Sequence, residues 1–290
     1  MKVAVIGANG QMGHDVCAQF TKQGAEVHPL GHAEIEIGSA DSVNAVLEKI
    51  QPDVIVNTAA MHQVDQCELH PDKAFLVNGI GSRNLALAAK KLGSKLVHVS
   101  TDYVFDGKKK TAYVEEDICL PLNVYGNTKL SGENFVQAIA DKHYVVRVSG
   151  LYGKEPCRAK GGLNFVRLML KLAREKGTVK VVADEYVTPT YTSDASAQIV
   201  KLVSTEHYGV FHCTPQGQCS WNEFAAAIFR LSQTKVELLS ATSADFPAKI
   251  PRPAYSVLDN KHLRDCGIDQ MPGWEESLRR YLAEIGELRA

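Results

Sequence analysis

Short runs that are apolar on both faces alternate along this chain with longer segments of helical period. That alternation constrains the fold more than any other feature. The strand candidates are Lys2–Ile6, Ala25–Leu30, Asp53–Asn57, Lys95–Ser100, Tyr144–Val148 and Val179–Ala183. Between them lie helix candidates at Gln11–Gln23, Asp41–Ile50, Lys73–Leu92, Val124–Ala140 and Leu163–Lys176. A run such as Val3-Ala4-Val5-Ile6 has no polar face to turn to water. It therefore reads as a central strand of a parallel sheet covered by helices on both sides. Strand–helix alternation at this spacing implies right-handed crossovers and an α/β fold with a doubly wound parallel sheet.

The pattern loosens after about residue 150. Leu151–Gly162 reads as a basic loop carrying Lys154, Arg158 and Lys160, and Lys249–Asn260 as a loop holding Pro251 and Pro253. Helices recur at Asn222–Ser232 and Glu275–Ile285. We therefore expect residues 1–150 plus about 178–207 to form a dinucleotide-binding domain. Residues of about 151–177 and 208–290 are expected to form a smaller α/β substrate lobe. The 290 residues suit two units at roughly 150 residues each. A ligand belongs in the cleft between that lobe and the carboxyl ends of the strands.

Composition narrows the function classes. Lys plus Arg number 32 and Asp plus Glu 33, a net charge of −1, which argues against a bulk electrostatic grip on nucleic acid or an anionic membrane. No run approaches the roughly 18 apolar residues of a membrane span. Met1 and Lys2 lead straight into the first strand without a signal-peptide core, so a cytoplasmic protein is expected. The seven cysteines are scattered without a C-x-x-C pair and read as reduced thiols, not as a disulfide or zinc framework. The sequence shows no metal-ligand cluster, and none is expected.

The first strand runs into Gly7-Ala8-Asn9-Gly10-Gln11-Met12-Gly13. Glycines between a strand and a helix let backbone approach a pyrophosphate, and the helix N-terminus adds N–H donors. The second strand ends in Pro29-Leu30-Gly31-His32, with no acid before Glu34 to bind a ribose 2′-hydroxyl or repel a 2′-phosphate. His32 is there either to meet such a phosphate or as a solvated loop residue. Asn57-Thr58-Ala59-Ala60 closes the third strand with small residues, and Ser100-Thr101-Asp102 closes the fourth with polar ones. Tyr125 and Lys129 lie four apart on the helix that follows, hence on one face. A phenol has a reference pKa of about 10, and a neighbouring ammonium is expected to stabilise its anion. Such a tyrosine can give a proton to a carbonyl oxygen while hydride reaches the carbon, and Thr101 can add a hydrogen bond to that oxygen.

Together with these segments, Ser100-Thr101-Asp102-Tyr103-Val104-Phe105-Asp106-Gly107 and Pro121-Leu122-Asn123-Val124-Tyr125-Gly126-Asn127-Thr128-Lys129 resemble the extended short-chain dehydrogenase/reductases. Within them the chain is similar to the dTDP-4-dehydrorhamnose reductase branch. Phe165–Leu170, Thr188-Pro189-Thr190 and Arg252–Asp259 carry the likeness through nearly the whole chain. The resemblance implies a Rossmann fold, NADPH or NADH as cofactor, and reduction of the 4-keto group of a dTDP-linked 6-deoxyhexose. It places Thr101, Tyr125 and Lys129 as the catalytic set. Gly7, Asn9, Gly10, Gln11, Met12, Gly13, His32, Ala59, Ala60 and Ser100 fall at the cofactor, with Tyr125 and Lys129 reaching it as well. Thr101, Asp102, Phe105, Asn123, Gly150 and Arg252 fall at the nucleotide-sugar substrate.

Two departures stand out. Relatives often carry a tryptophan after the fifth strand where this chain has Gly150 in Val148-Ser149-Gly150-Leu151-Tyr152, so a roomier or differently shaped sugar pocket is expected. By the same resemblance, His62 stands where relatives frequently carry a small hydroxyl. A nucleotide-sugar epimerase on the same scaffold is one alternative. A regulatory NADP-binding subunit, like the β subunit of methionine adenosyltransferase, is another. The sequence leaves the nucleotide, the hexose and the oligomeric state open, a homodimer among the options.

Overall fold

The computed structural model describes residues 1–157, 161–246 and 250–289. Arg158, Lys160 and Lys249, named in the loop expectations above, lie outside the described residues. The strands are β1 (Lys2–Ile6), β2 (Glu26–Leu30), β3 (Val54–Asn57), β4 (Lys95–Thr101), β5 (His143–Val148), β6 (Thr178–Val182), β7 (Tyr186–Val187), β8 (Gly209–His212), β9 (Cys219–Ser220) and β10 (Glu237–Ala241). The helices are α1 (Gln11–Lys22), α2 (Ala40–Ile50), α3 (Val64–Leu69), α4 (Pro71–Ala74), α5 (Gly81–Leu92), α6 (Val124–Ile139), α7 (Phe165–Lys176), α8 (Thr192–Val203), α9 (Trp221–Leu231), α10 (Lys261–Asp265) and α11 (Trp274–Glu284).

Six strands form one parallel sheet in the order β2-β1-β3-β4-β5-β8. Alternate residues of the same strand enter opposite cores. Val3, Val5, Val54 and Val56 pack with Met12, Val16 and Phe20 of α1 and Ile199 of α8. Ala4, Ile6 and Ile55 pack with Leu47 of α2, Leu85 of α5 and Val136 of α6. A sheet covered on both faces is what the uninterrupted apolar runs required. The switch in strand order falls between β1 and β3, and their carboxyl ends face the ligand cleft.

Pairing departs from expectation at two places. The strand foreseen at Val179–Ala183 does not join the large sheet; β6 pairs with β10 in a two-stranded sheet. Thr178 and Lys180 alternate with buried Val179 and Val181, so only one face is apolar, and it packs on α7 and α9. The sixth strand of the large sheet is instead β8, a short segment that opens on Gly209 at φ +136°. The helix foreseen at Lys73–Leu92 is broken into α4, a π-helical turn at Phe75–Ile80 and α5. Inside that turn Asn78 binds both backbone groups of Met61 at 2.9 Å and Thr128 Oγ1 at 2.9 Å, tying the loop after β3 to α6.

The smaller lobe has its own core. Val166 and Leu170 of α7, Val179 and Val181 of β6, Phe224 and Ile228 of α9, and Leu278 and Tyr281 of α11 pack together, with Tyr152 at their edge.

Candidate active site

At the cofactor end, backbone makes the geometry. Gly7 has φ +78°, and a Cβ there would lie 2.8 Å from the amide nitrogen of Ala59. A Cβ on Gly13 would lie 2.2 Å from the Gly7 carbonyl oxygen, so the turn closes only without side chains at both positions. Gly10 caps α1 without a side-chain hydrogen bond, and no acid stands in the first turn of that helix. The helix N-terminus therefore offers unblocked N–H donors to an anion. These features fit the pyrophosphate of a dinucleotide.

The named cofactor residues sort differently when placed. Asn9 is exposed at the turn, and Ala59 and Ala60 are half-buried beside it. Met12 is buried in the sheet core, so only its backbone can serve the turn. Gln11 Oε1 accepts from Gly153 N at 2.9 Å and Asn164 Nδ2 at 3.3 Å, which fastens the turn to the smaller lobe. Ser100 is buried, and its Oγ donates to Glu133 Oε1. His32, its side chain 87% exposed, lies 3.2 Å from Glu36. The structure also corrects the reading that the end of β2 lacks an acid. Glu34 folds back so that its Oε2 accepts from Gly31 N at 2.7 Å, and a side chain at Gly31 would meet both Glu34 and Asn9.

At the other end of the cleft, side chains make the geometry. Thr101 and Asp102 are buried where β4 ends. Thr101 Oγ1 donates to Asp102 Oδ1 at 2.9 Å, and Ser149 Oγ donates to Asp102 Oδ2 at 2.8 Å. Burial pushes the Asp102 carboxyl above the usual range, while hydrogen bonds from Ser256, Ser149 and Thr101 pull it back. Tyr125 sits in the first turn of α6, half-buried, its ring edge-on to Tyr103 with centroids 5.6 Å apart. Desolvation pushes its phenol up; a hydrogen bond with Thr101 opposes this and the charge of Asp102 adds to it.

Lys129 is buried one helical turn further on. Its Nζ donates to the Val99 carbonyl at 2.7 Å and lies 3.5 Å from His98 Nε2. Desolvation pushes it down to about 8, against the pull of Glu133. Burial is the largest influence on the Tyr125 phenol, and the Lys129 ammonium makes its hydrogen bond to the Val99 carbonyl. Glu133, fully buried, receives Arg147 Nη2 at 2.7 Å and Arg147 Nε at 3.0 Å. Tyr125, Lys129 and Glu133 form one i, i+4, i+8 stripe, and extending the tyrosine–lysine spacing by one step would have found the glutamate. Ser149, Ser256 and His98 carry no such local signal.

Three expected substrate contacts have structural duties. Phe105 is fully buried, stacked on Tyr113 with centroids 4.2 Å apart. Asn123 caps α6 by accepting from Gly126 N at 2.9 Å and donates to the Pro251 carbonyl at 3.0 Å. Gly150 has φ +53°, and a Cβ there would lie 3.2 Å from Pro189 Cα and 3.5 Å from Trp221 Cη2, so the space is not simply open. Arg252 is exposed and near enough to lower the pKa of Tyr103 and Glu185. Away from the cleft, Glu115, Glu116 and His262 place potential ligand atoms within 4.8 Å of one another. Lys261 Nζ already sits 2.7 Å from Glu116 Oε1 and supplies a cation there.

This arrangement agrees with what the chain resembles as a whole. The family described as the RmlD substrate binding domain matches residues 1–287. The chain belongs to this family. It is 42% identical over 283 residues to the spore coat polysaccharide biosynthesis protein SpsK of Bacillus subtilis, covering 98% of this chain and 97% of that one. It is 36% identical to a dTDP-4-dehydrorhamnose reductase of Aggregatibacter actinomycetemcomitans, over 97% and 98% of the two chains. Among solved structures, the dTDP-4-dehydrorhamnose reductase of Bacillus anthracis in complex with NADP superimposes with a TM-score of 0.93 at 39% identity, covering 98% and 99%. The fold and family foreseen from the sequence are thus those of the chain; two of these relatives are reductases by name, and one of them was solved with NADP.

Proposed function

We infer that this protein reduces the 4-keto group of a dTDP-linked 6-deoxyhexose, most directly dTDP-4-dehydrorhamnose to dTDP-L-rhamnose, and so serves polysaccharide synthesis in the cytoplasm. The observation that carries this reading is the meeting of Thr101, Tyr125 and Lys129 at the carboxyl edge of the sheet, beside a glycine turn shaped for a pyrophosphate.

NADPH or NADH, held at the Gly7–Gly13 turn, supplies the hydride. Tyr125 delivers its phenolic proton to the carbonyl oxygen of the sugar. The raised pKa of Tyr125 keeps that proton in place until charge develops on the sugar oxygen. Thr101 spends its own proton on Asp102, so to donate to the substrate its hydroxyl must turn away. Ser149 and Ser256 then continue to satisfy Asp102, which lowers the cost of that rotation. Lys129, with its pKa pushed down to about 8, is a stronger acid than the phenol and resupplies the proton to Tyr125 once its Nζ turns from the Val99 carbonyl.

For the cofactor, Glu34 at the end of β2 and the pairing of His32 with Glu36 work against a tight 2′-phosphate site. Both cofactors are therefore accepted, with a modest NADPH preference in keeping with the NADP-bound relative. The test is sugar-dependent NADPH oxidation by the purified protein with dTDP-4-dehydrorhamnose. Turnover supports the reading. Tight NADPH binding without reduction of any dTDP-4-keto sugar would instead favour a regulatory binding protein.

A further inference from the structure

Trp221 opens α9 and packs against the core of the smaller lobe. Its place is fixed from several sides. Its N–H donates to the Glu185 carbonyl at 3.3 Å, and the preceding Ser220 forms a capping box with Glu223. Its ring lies against Phe165 with centroids 4.6 Å apart. Even so, Trp221 is only half-buried. Its outer edge, Cη2, ends 3.5 Å from where a side chain at position 150 would start.

That position borders the reacting groups. Gly150 directly follows Ser149, whose hydroxyl holds Asp102, and Asp102 holds Thr101. Residue 150 cannot itself supply a wall on this backbone. Its φ of +53° strains any ordinary side chain, and a Cβ would press on Pro189. An aromatic edge from the smaller lobe therefore stands beside a stretch of the cleft that has no side chain at position 150. A flat apolar ring suits the C–H face of a pyranose, as aromatic linings do in small-ligand pockets generally.

We propose that Trp221 is the specificity-determining residue for the hexose: its indole covers the sugar ring beside Gly150, while the nucleotide half is held elsewhere. This rests on the nucleotide-sugar reductase reading above. It also gives the smaller lobe a direct part in choosing the sugar.

The test uses Trp221→Leu and Trp221→Phe in the full chain. Calorimetric titrations with dTDP-L-rhamnose and with dTDP alone are run beside steady-state kinetics. Trp221→Leu is expected to raise the KM for the keto sugar and the Kd for dTDP-L-rhamnose about tenfold, the scale of a lost aromatic contact. The Kd values for dTDP and NADPH should stay within about twofold, and Trp221→Phe should recover most of the loss. A leucine variant with unchanged KM and sugar-nucleotide Kd would overturn the proposal. So would equal weakening of dTDP alone, because the indole would then serve the nucleotide or the lobe's packing. A wild-type protein that binds neither dTDP nor dTDP-L-rhamnose would refute the nucleotide-sugar reading itself, and this proposal with it.

Discussion

The two ends of the cleft are built by different means. Around Gly7, Gly10 and Gly13, function rests on backbone: a positive φ, contacts too close for a Cβ, and an uncapped helix start. Around Thr101 and Tyr125 it rests on side chains drawn from β4, α6, the turn after β5 and the segment at Ser256. The first end is local in sequence, whereas the second is assembled from residues more than 150 positions apart. The backbone end tolerates change wherever no side chain intrudes. The side-chain end depends on each member of a buried network, and a loss there spreads.

Variants can separate the two ends. The largest effect belongs to Tyr125→Phe, which removes the proton donor and should lower kcat by about 10²–10⁴. The NADPH dissociation constant, measured by titration, should hardly move, because the glycine turn is untouched. A parallel loss of cofactor binding would mean that the two ends are not independent.

Arg147→Met comes next. It leaves the fully buried Glu133 carboxylate without its partner, a loss of about 3–5 kcal/mol. Thermal unfolding should show a midpoint lower by roughly 10 °C. An unchanged midpoint would show that the buried pair contributes little.

The pH profile gives a third, smaller effect. In the proposed proton return Lys129 acts as an ammonium, and its pKa of about 8 lies below the usual lysine value because of burial. The ammonium is lost as pH rises, so kcat should fall through about pH 8 and be steady below it. Glu133 raises that pKa, so Glu133→Gln should move the falling limb to lower pH. A limb that stays in place in the variant would remove Glu133 from the tuning of Lys129.

The smallest effect is at the cofactor end. Glu34→Gln removes a carboxylate from the end of β2 and should raise the NADPH-to-NADH preference in kcat/KM about two- to fivefold, the worth of one exposed charge. It should leave the pH profile alone. A shift in the profile would tie Glu34 to proton delivery and blur the comparison.

This contrast also explains what the sequence could and could not tell. The large sheet was legible because β1 and β3 are apolar on both faces, and the glycine turn because its spacing is contiguous. The Tyr125–Lys129 pair was legible from its helical spacing. Strand β8 was not, being four residues long and opened by a glycine, and β6 went to the wrong sheet although its polar–apolar alternation marks a strand with one wet face. Glu34 was seen but set beyond the end of β2, because its carboxylate reaches back to Gly31 only after the turn folds. Ser149 and Ser256 were missed for a related reason. Nothing in a lone serine says that it will meet a buried aspartate contributed by a distant strand end.

The central claim is that this cleft transfers hydride to a sugar carbonyl. The direct measurement is a single turnover with nicotinamide-deuterated NADPH and a dTDP-4-keto-6-deoxyhexose, followed by NMR of the sugar product. The account predicts one deuteron on C4 of the hexose and an equal amount of NADP⁺ formed. An epimerised sugar without deuterium, or unconsumed NADPH beside intact keto sugar, would contradict it.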